Sequence, residues 1–179
     1  MRTPILALAA AAAFALPGCG YTFHQNAFFR SDVKTIALEI FDNDTFRRDL
    51  EFPLTETIKD RIQSLTPYRL ETKERADTLL RGRITAVREH VISENKIDQP
   101  IESSVSIEVR VEWIDLRSGK PLVTPFNVAD NSTFVLLLGG TRRAAQDDTF
   151  SDLADEIIRK MEIPWDKNPD VRPEPSLAN

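Results

Sequence analysis

Between Val105 and Trp113 the chain alternates without an error. Val105, Ile107, Val109, Val111 and Trp113 are apolar, and Ser106, Glu108, Arg110 and Glu112 between them are polar or charged. Side chains along a strand point alternately to opposite faces, so this run reads as a strand with one dry face and one wet face. Such a strand belongs in an antiparallel sheet covered on one side only. The rest of the chain must supply its neighbours and its cover.

The neighbours are legible. Val33–Phe41 reads as a strand, with Ile36, Leu38 and Ile40 on one face and Ala37 and Phe41 on the other, followed by a turn at Asp42–Thr45. Thr78–Ser93 reads as a long strand. Leu80, Gly82, Ile84 and Ala86 alternate, and the apolar register then moves to Val87 and Val91, which points to a bulge. Residues 121–136 form a fourth strand, confined to an edge by Pro121 and Pro125.

The cover is helical. Leu50, Leu54, Ile58, Ile62 and Leu65 recur at helical spacing, with Pro53 tolerated only in the first turn and Thr66-Pro67 ending the run. Phe150, Leu153, Ile157, Ile158 and Met161 define a second helix. Asp147 and Asp148 are expected near its positive end and Arg159 and Lys160 near its negative end. The order is β-α-β-β-β-α, and the expected fold is α+β: two helices packed on one face of a four-stranded, mostly antiparallel sheet.

The N-terminus carries an address. Arg2 precedes an uncharged run of Ala, Leu and Phe that ends in Leu16-Pro17-Gly18-Cys19, the layout of a secretory signal. The run is shorter than the roughly 20 residues of a membrane span. Its end resembles a bacterial lipobox, which implies that Cys19 becomes the mature N-terminus and carries the lipid, diacylglycerol and palmitate. The expected organisation is a signal peptide at 1–18, a lipidated leader at 19–32, one domain at 33–163 and a Pro-rich flexible tail at 164–179. Cys19 is the sole cysteine, so no intramolecular disulfide can form.

Catalytic chemistry is not in evidence. His24 and His90 are the two histidines and stand far apart, without partners at metal-ligand spacing. Gly139-Gly140 lacks the lysine and hydroxyl of a phosphate loop. The net charge of −5 argues against nucleic acid as a partner. The expectation is a protein that is not an enzyme and needs no cofactor or metal. Two sets of residues remain for binding. Arg81, Arg83, Arg88 and Lys96 form a basic set on or after the long strand, with Arg81 and Arg83 pointing away from the helices. Val135–Leu138 is an apolar stretch ending in Gly139-Gly140, where Leu137 and Gly139 are placed as partner contacts.

Several runs in order carry a resemblance. They are Cys19-Gly20-Tyr21-Thr22-Phe23, the Lys34–Ile40 strand into Phe41-Asp42-Asn43-Asp44-Thr45, Glu51-Phe52-Pro53-Leu54-Thr55-Glu56, Thr66-Pro67-Tyr68, and Ala76–Gly82. Together they resemble the LptE family of outer-membrane lipoproteins. The resemblance implies two helices on a four-stranded sheet, a lipid anchor on the periplasmic face of the outer membrane, a partner in the LptD-like β-barrel, and contact with lipopolysaccharide on its way to the surface. On that reading Arg81, Arg83, Arg88 and Lys96 are the candidates for the lipopolysaccharide contact. The Val33–Thr45 stretch also resembles lipoproteins that regulate peptidoglycan synthases, and a purely structural envelope lipoprotein is the third possibility.

Overall fold

The computed structural model describes residues 28–94, 100–135 and 141–162. Strand β1 (Thr35–Leu38) leads to a two-residue β2 (Asp42–Asn43), helix α1 (Glu51–Leu65) and a short β3 (Arg69–Leu70). The long strands β4 (Thr78–Glu94) and β5 (Pro100–Asp115) follow, then β6 (Phe126–Val135) and helix α2 (Arg142–Met161). The strands lie in the order β3-β1-β4-β5-β6, with β2 beside β4. The α+β class is as expected. The sheet is mixed and has six strands rather than four, because β1 runs parallel to β3 and β4, and β2 runs parallel to β4. A chain that leaves one strand and returns through a helix arrives parallel to it, and α1 is that crossover. The two long pairings, β4 with β5 and β5 with β6, are antiparallel.

The alternating strand is where its pattern places it. Val105, Ile107, Val109 and Val111 are wholly buried, and Trp113 nearly so. Above them lie Leu54, Ile58 and Ile62 of α1 and Phe150, Leu153, Ile157, Ile158 and Met161 of α2, all buried in one continuous core. The helices pack on each other, and Arg61 of α1 pairs with Asp155 of α2 at 2.8 Å. The Trp113 indole donates to the Thr78 hydroxyl at 3.0 Å, which satisfies the one polar atom of the largest core side chain.

The bulge inferred from the apolar register of β4 is present. Ile84 pairs with Val109 but Ala86 pairs with Glu108, leaving Thr85 as the extra residue, and its hydroxyl donates to the Glu108 carbonyl at 3.2 Å. The slip carries Val87 onto the core side, opposite Ile107.

A second slip was not legible. Leu38 pairs with Leu80 and Asp42 with Arg83, so the first segment takes four steps while β4 takes three. One extra residue reverses the faces. Ile40, expected alongside Ile36, is therefore 55% exposed, while Phe41 is 1% exposed and sits in the core. The Phe41 ring lies over Gly82, where any side-chain carbon would collide with it. The glycine in β4 is the seat for that ring. The residues read as a turn at Asp42–Thr45 thus begin as β2.

Helix α1 stops where expected. Thr66 is extended, with φ −120° and ψ 157°, ahead of Pro67. Its start has no side-chain cap from Leu50. Instead the Glu51 carboxylate accepts from the Leu50 amide at 3.1 Å, and Asp49 before it has a left-handed φ of 65°. Helix α2 begins earlier than its apolar residues suggest. Thr141 caps it, accepting from the Ala144 amide at 3.2 Å. Asp147 and Asp148 consequently stand past the first turn, which holds Arg142 and Arg143 and no acid. Arg159 and Lys160 occupy the last turn, as expected. Strand β6 lies at the sheet edge, begins after Pro125, and leaves Pro121 in an isolated bridge to Ile114.

Candidate functional site

With both helices on one face, no element among the described residues covers the opposite face of β4 and β5. Arg81 and Arg83 point to that open face, between the buried Leu80 and Ile84. A shallow hollow of about 490 Å³ lies over it, lined by Ile40, Asp42, Arg81, Arg83, Arg110 and Glu112 among others. Arg81 stands opposite Glu112 and reaches it through two nitrogens at 3.0 and 2.8 Å. Arg83 stands opposite Arg110, a like charge, and turns instead to Asp44 at 3.2 Å and Asp42 at 3.5 Å. Arg88, past the bulge, has Glu108 at 4.0 Å. The three described arginines of the expected set are thus on one strand, and each faces a carboxylate. The fold brings Arg110 into their company, a residue the sequence reading passed over as a wet strand position. Its signal was available: Arg110 lies on the polar side of β5.

Lys96, Leu137, Gly139 and Cys19 lie outside the described residues, as do the signal peptide, most of the leader and the tail. Near the ends of the described strands, Val91 and Ile92 of β4 expose their side chains. No helix among the described residues is long and apolar enough to cross a membrane, and no cluster of His, Cys, Asp and Glu among them could hold a metal ion.

A second cationic group was not singled out by the sequence. Arg47 and Arg142, far apart in the chain, meet at Glu89, at 2.8 and 3.1 Å. Burial pushes the Glu89 carboxyl up, but the hydrogen bonds and charges of the two arginines outweigh it and hold the group below the usual carboxylate range.

The family profile of LptE, described as lipopolysaccharide-assembly, matches residues 33–161, well over half of the chain. The chain belongs to the LptE family. The likeness noted from its short motifs is therefore a real membership, and the family is one of non-enzymatic lipopolysaccharide-assembly lipoproteins. No curated protein matches this LptE-family sequence. Among solved structures, the uncharacterized lipoprotein B of Nitrosomonas europaea is 12% identical, with 76% of this chain and 85% of that one covered at a TM-score of 0.50. The hypothetical protein CT253 of Chlamydia trachomatis is 13% identical over 70% of this chain and 94% of the other, also at 0.50. A PelC dodecamer from Paraburkholderia phytofirmans is 14% identical over 75% and 93%, again at 0.50. At such identities these three structures speak for the shared fold alone.

Proposed function

We propose that this LptE-family chain is a lipid-anchored assembly factor on the periplasmic face of the outer membrane, joined to an LptD-like β-barrel, where it helps deliver lipopolysaccharide to the cell surface. The observation that carries the reading is the family match across the whole folded domain. In this scheme residues 1–18 direct export, Cys19 bears the acyl chains, the segment to residue 32 is a leader and the tail from 164 is a spacer. More than one acyl chain is needed for lasting attachment. Leu137 and Gly139 contact the barrel.

Lipopolysaccharide carries phosphates and acidic sugars, and guanidinium forks match phosphate bidentately. Arg81, Arg83 and Arg88 supply that chemistry on the open side of the sheet, and Lys96 is the fourth candidate by its charge. Because the described arginines already face Glu112, Asp42, Asp44 and Glu108, each must exchange a carboxylate for the ligand's anion. Contact there is consequently weak per residue and sensitive to salt. Titrating the purified full chain with lipopolysaccharide tests this. The double variant Arg81→Glu, Arg83→Glu is expected to weaken binding several-fold, about 1 kcal/mol, with the thermal midpoint nearly unchanged. Wild-type binding should also weaken as salt is added. Salt-insensitive or undetectable binding by the wild type would overturn the reading.

A further inference from the structure

Strand β6 ends the sheet, and its outer edge is open. Among the described residues no strand or backbone group pairs with it except β5. In an antiparallel ladder alternate residues turn their amides and carbonyls away from the neighbour. Over the ten residues Phe126–Val135 that leaves a row of donors and acceptors facing outward. Val128 and Phe134 are buried on the helix side, while Asn127, Ala129, Asn131 and Thr133 are exposed.

Natural sheets guard such an edge with proline, lysine or an inward charge. Strand β6 holds no proline, lysine or arginine. Its one charge is Asp130, which stands opposite the buried Ile107 and shares the helix side with Val128 and Ser132. A hollow of about 360 Å³ lies between the strand and α2, lined by the Asn127–Asp130 stretch and by Asp152, Glu156, Arg159 and Lys160 among others. No residue of β5 lines it, so it opens at the outer edge.

The charges in this hollow are unequally matched. Glu156 takes both cations, Arg159 at 2.6 Å and Lys160 at 3.4 Å. Asp130 and Asp152 make no ion pair among the described residues, and Oδ2 of Asp130 is buried with no hydrogen-bond partner there. Burial pushes the Asp130 carboxyl up and the charge of Asp152 adds to this, against the Asn131 amide, which lowers it. A buried acceptor left unmatched costs stability, and a cation brought to it recovers that cost.

A strand added to this edge would meet the open row of backbone groups and set one of its side chains beside Asp130. A second copy cannot supply the match. With no lysine or arginine in β6, edge-to-edge pairing would place Asp130 against a neutral residue or against its own counterpart. We propose that the outer edge of β6 accepts an extended segment of a partner protein as an added strand, and that Asp130 with Asp152 selects a segment carrying a lysine or arginine at the facing position. An inward charge on an edge excludes indiscriminate pairing, and the same charge chooses the partner. The site is independent of the barrel and lipopolysaccharide reading above.

The test selects ten-residue peptides from a random displayed library against the detergent-solubilised full chain. Enriched peptides are then followed by fluorescence anisotropy and hydrogen exchange. They should share a lysine or arginine at one fixed place among β-branched residues. Bound peptide should slow exchange at alternate amides of β6. Replacing the basic residue by glutamate, or methylating alternate backbone nitrogens of the peptide, should weaken binding by about tenfold or more. Asp130→Asn should weaken the basic peptide by about tenfold and leave its neutral analogue within about twofold, and Asp152→Asn should act in the same direction to a smaller degree. Each change removes a charge without an ion-pair partner, so the variants should fold, and circular dichroism checks that they do. No enrichment, enrichment without a basic residue, protection away from β6, or an Asp130→Asn variant that binds the basic peptide within twofold of wild type overturns the proposal. So does protection of β6 in the free chain that is lost on dilution, which assigns the edge to a second copy.

Discussion

Asp77 ties together three separate parts of the chain. One carboxylate oxygen accepts from the Lys34 amide at 3.0 Å and from the Thr35 amide and hydroxyl at 3.1 Å each. The other oxygen takes the Arg117 guanidinium, and the Asp77 amide donates back to the Thr35 hydroxyl at 2.9 Å. The start of β1, the start of β4 and the turn after β5 are thereby held at one corner. The Arg117 hydrogen bond first, then those from Lys34 and Thr35, hold the carboxyl at about 2. A lowered folded-state pKa stabilises the fold above the unfolded value, near 4, and that stabilisation is lost as pH falls through the folded one. Asp77→Asn is therefore expected to lose about 1–2 kcal/mol at neutral pH. The gap to wild type should close between pH 4 and 2 in denaturant titrations. A gap that stays constant down to pH 2 would mean that the ionised carboxylate is not what matters.

At the scale of elements, β5 decides the architecture. Its dry face is the floor of the core and its wet face is open, so neighbouring positions should respond differently. Val109→Ala should cost roughly 1–3 kcal/mol through the cavity it leaves, and Glu108→Ala should stay within about 0.5 kcal/mol. Equal losses in thermal melts would show the faces to be misassigned. This strand was legible because burial on one face writes a period of two into the sequence, and the bulge at Thr85 was legible because it shifts that period. The slip between β1 and β4 was not. It falls where Glu39, Ile40 and Asp42 give no clean alternation, and only pairing to β4 decides that Phe41 rather than Ile40 turns inward. The first turns of α2 were hidden for a related reason. Their buried positions are small, Ala145 and Thr149, and add little to an apolar pattern carried by Phe150 onward. That early start is what brings Arg142 beside Arg47, a meeting that no local signal announces.

At the scale of the whole molecule, the helices cover one side of the sheet and leave two chemically different surfaces. The open face sets Arg81, Arg83 and Arg88 against carboxylates, with Arg110 beside Arg83, while the starts of the two helices bring Arg47, Arg48, Arg142 and Arg143 together. The central claim is that this chain works with a β-barrel and lipopolysaccharide. It is tested most directly by placing a photo-crosslinking residue at Leu137 of the full-length protein in native envelopes. After irradiation the protein is captured, and the crosslinked polypeptide and any co-purified glycolipid are identified by mass spectrometry. The account predicts an LptD-like outer-membrane barrel together with lipopolysaccharide. A crosslink to a peptidoglycan synthase, with no barrel and no glycolipid, would contradict it.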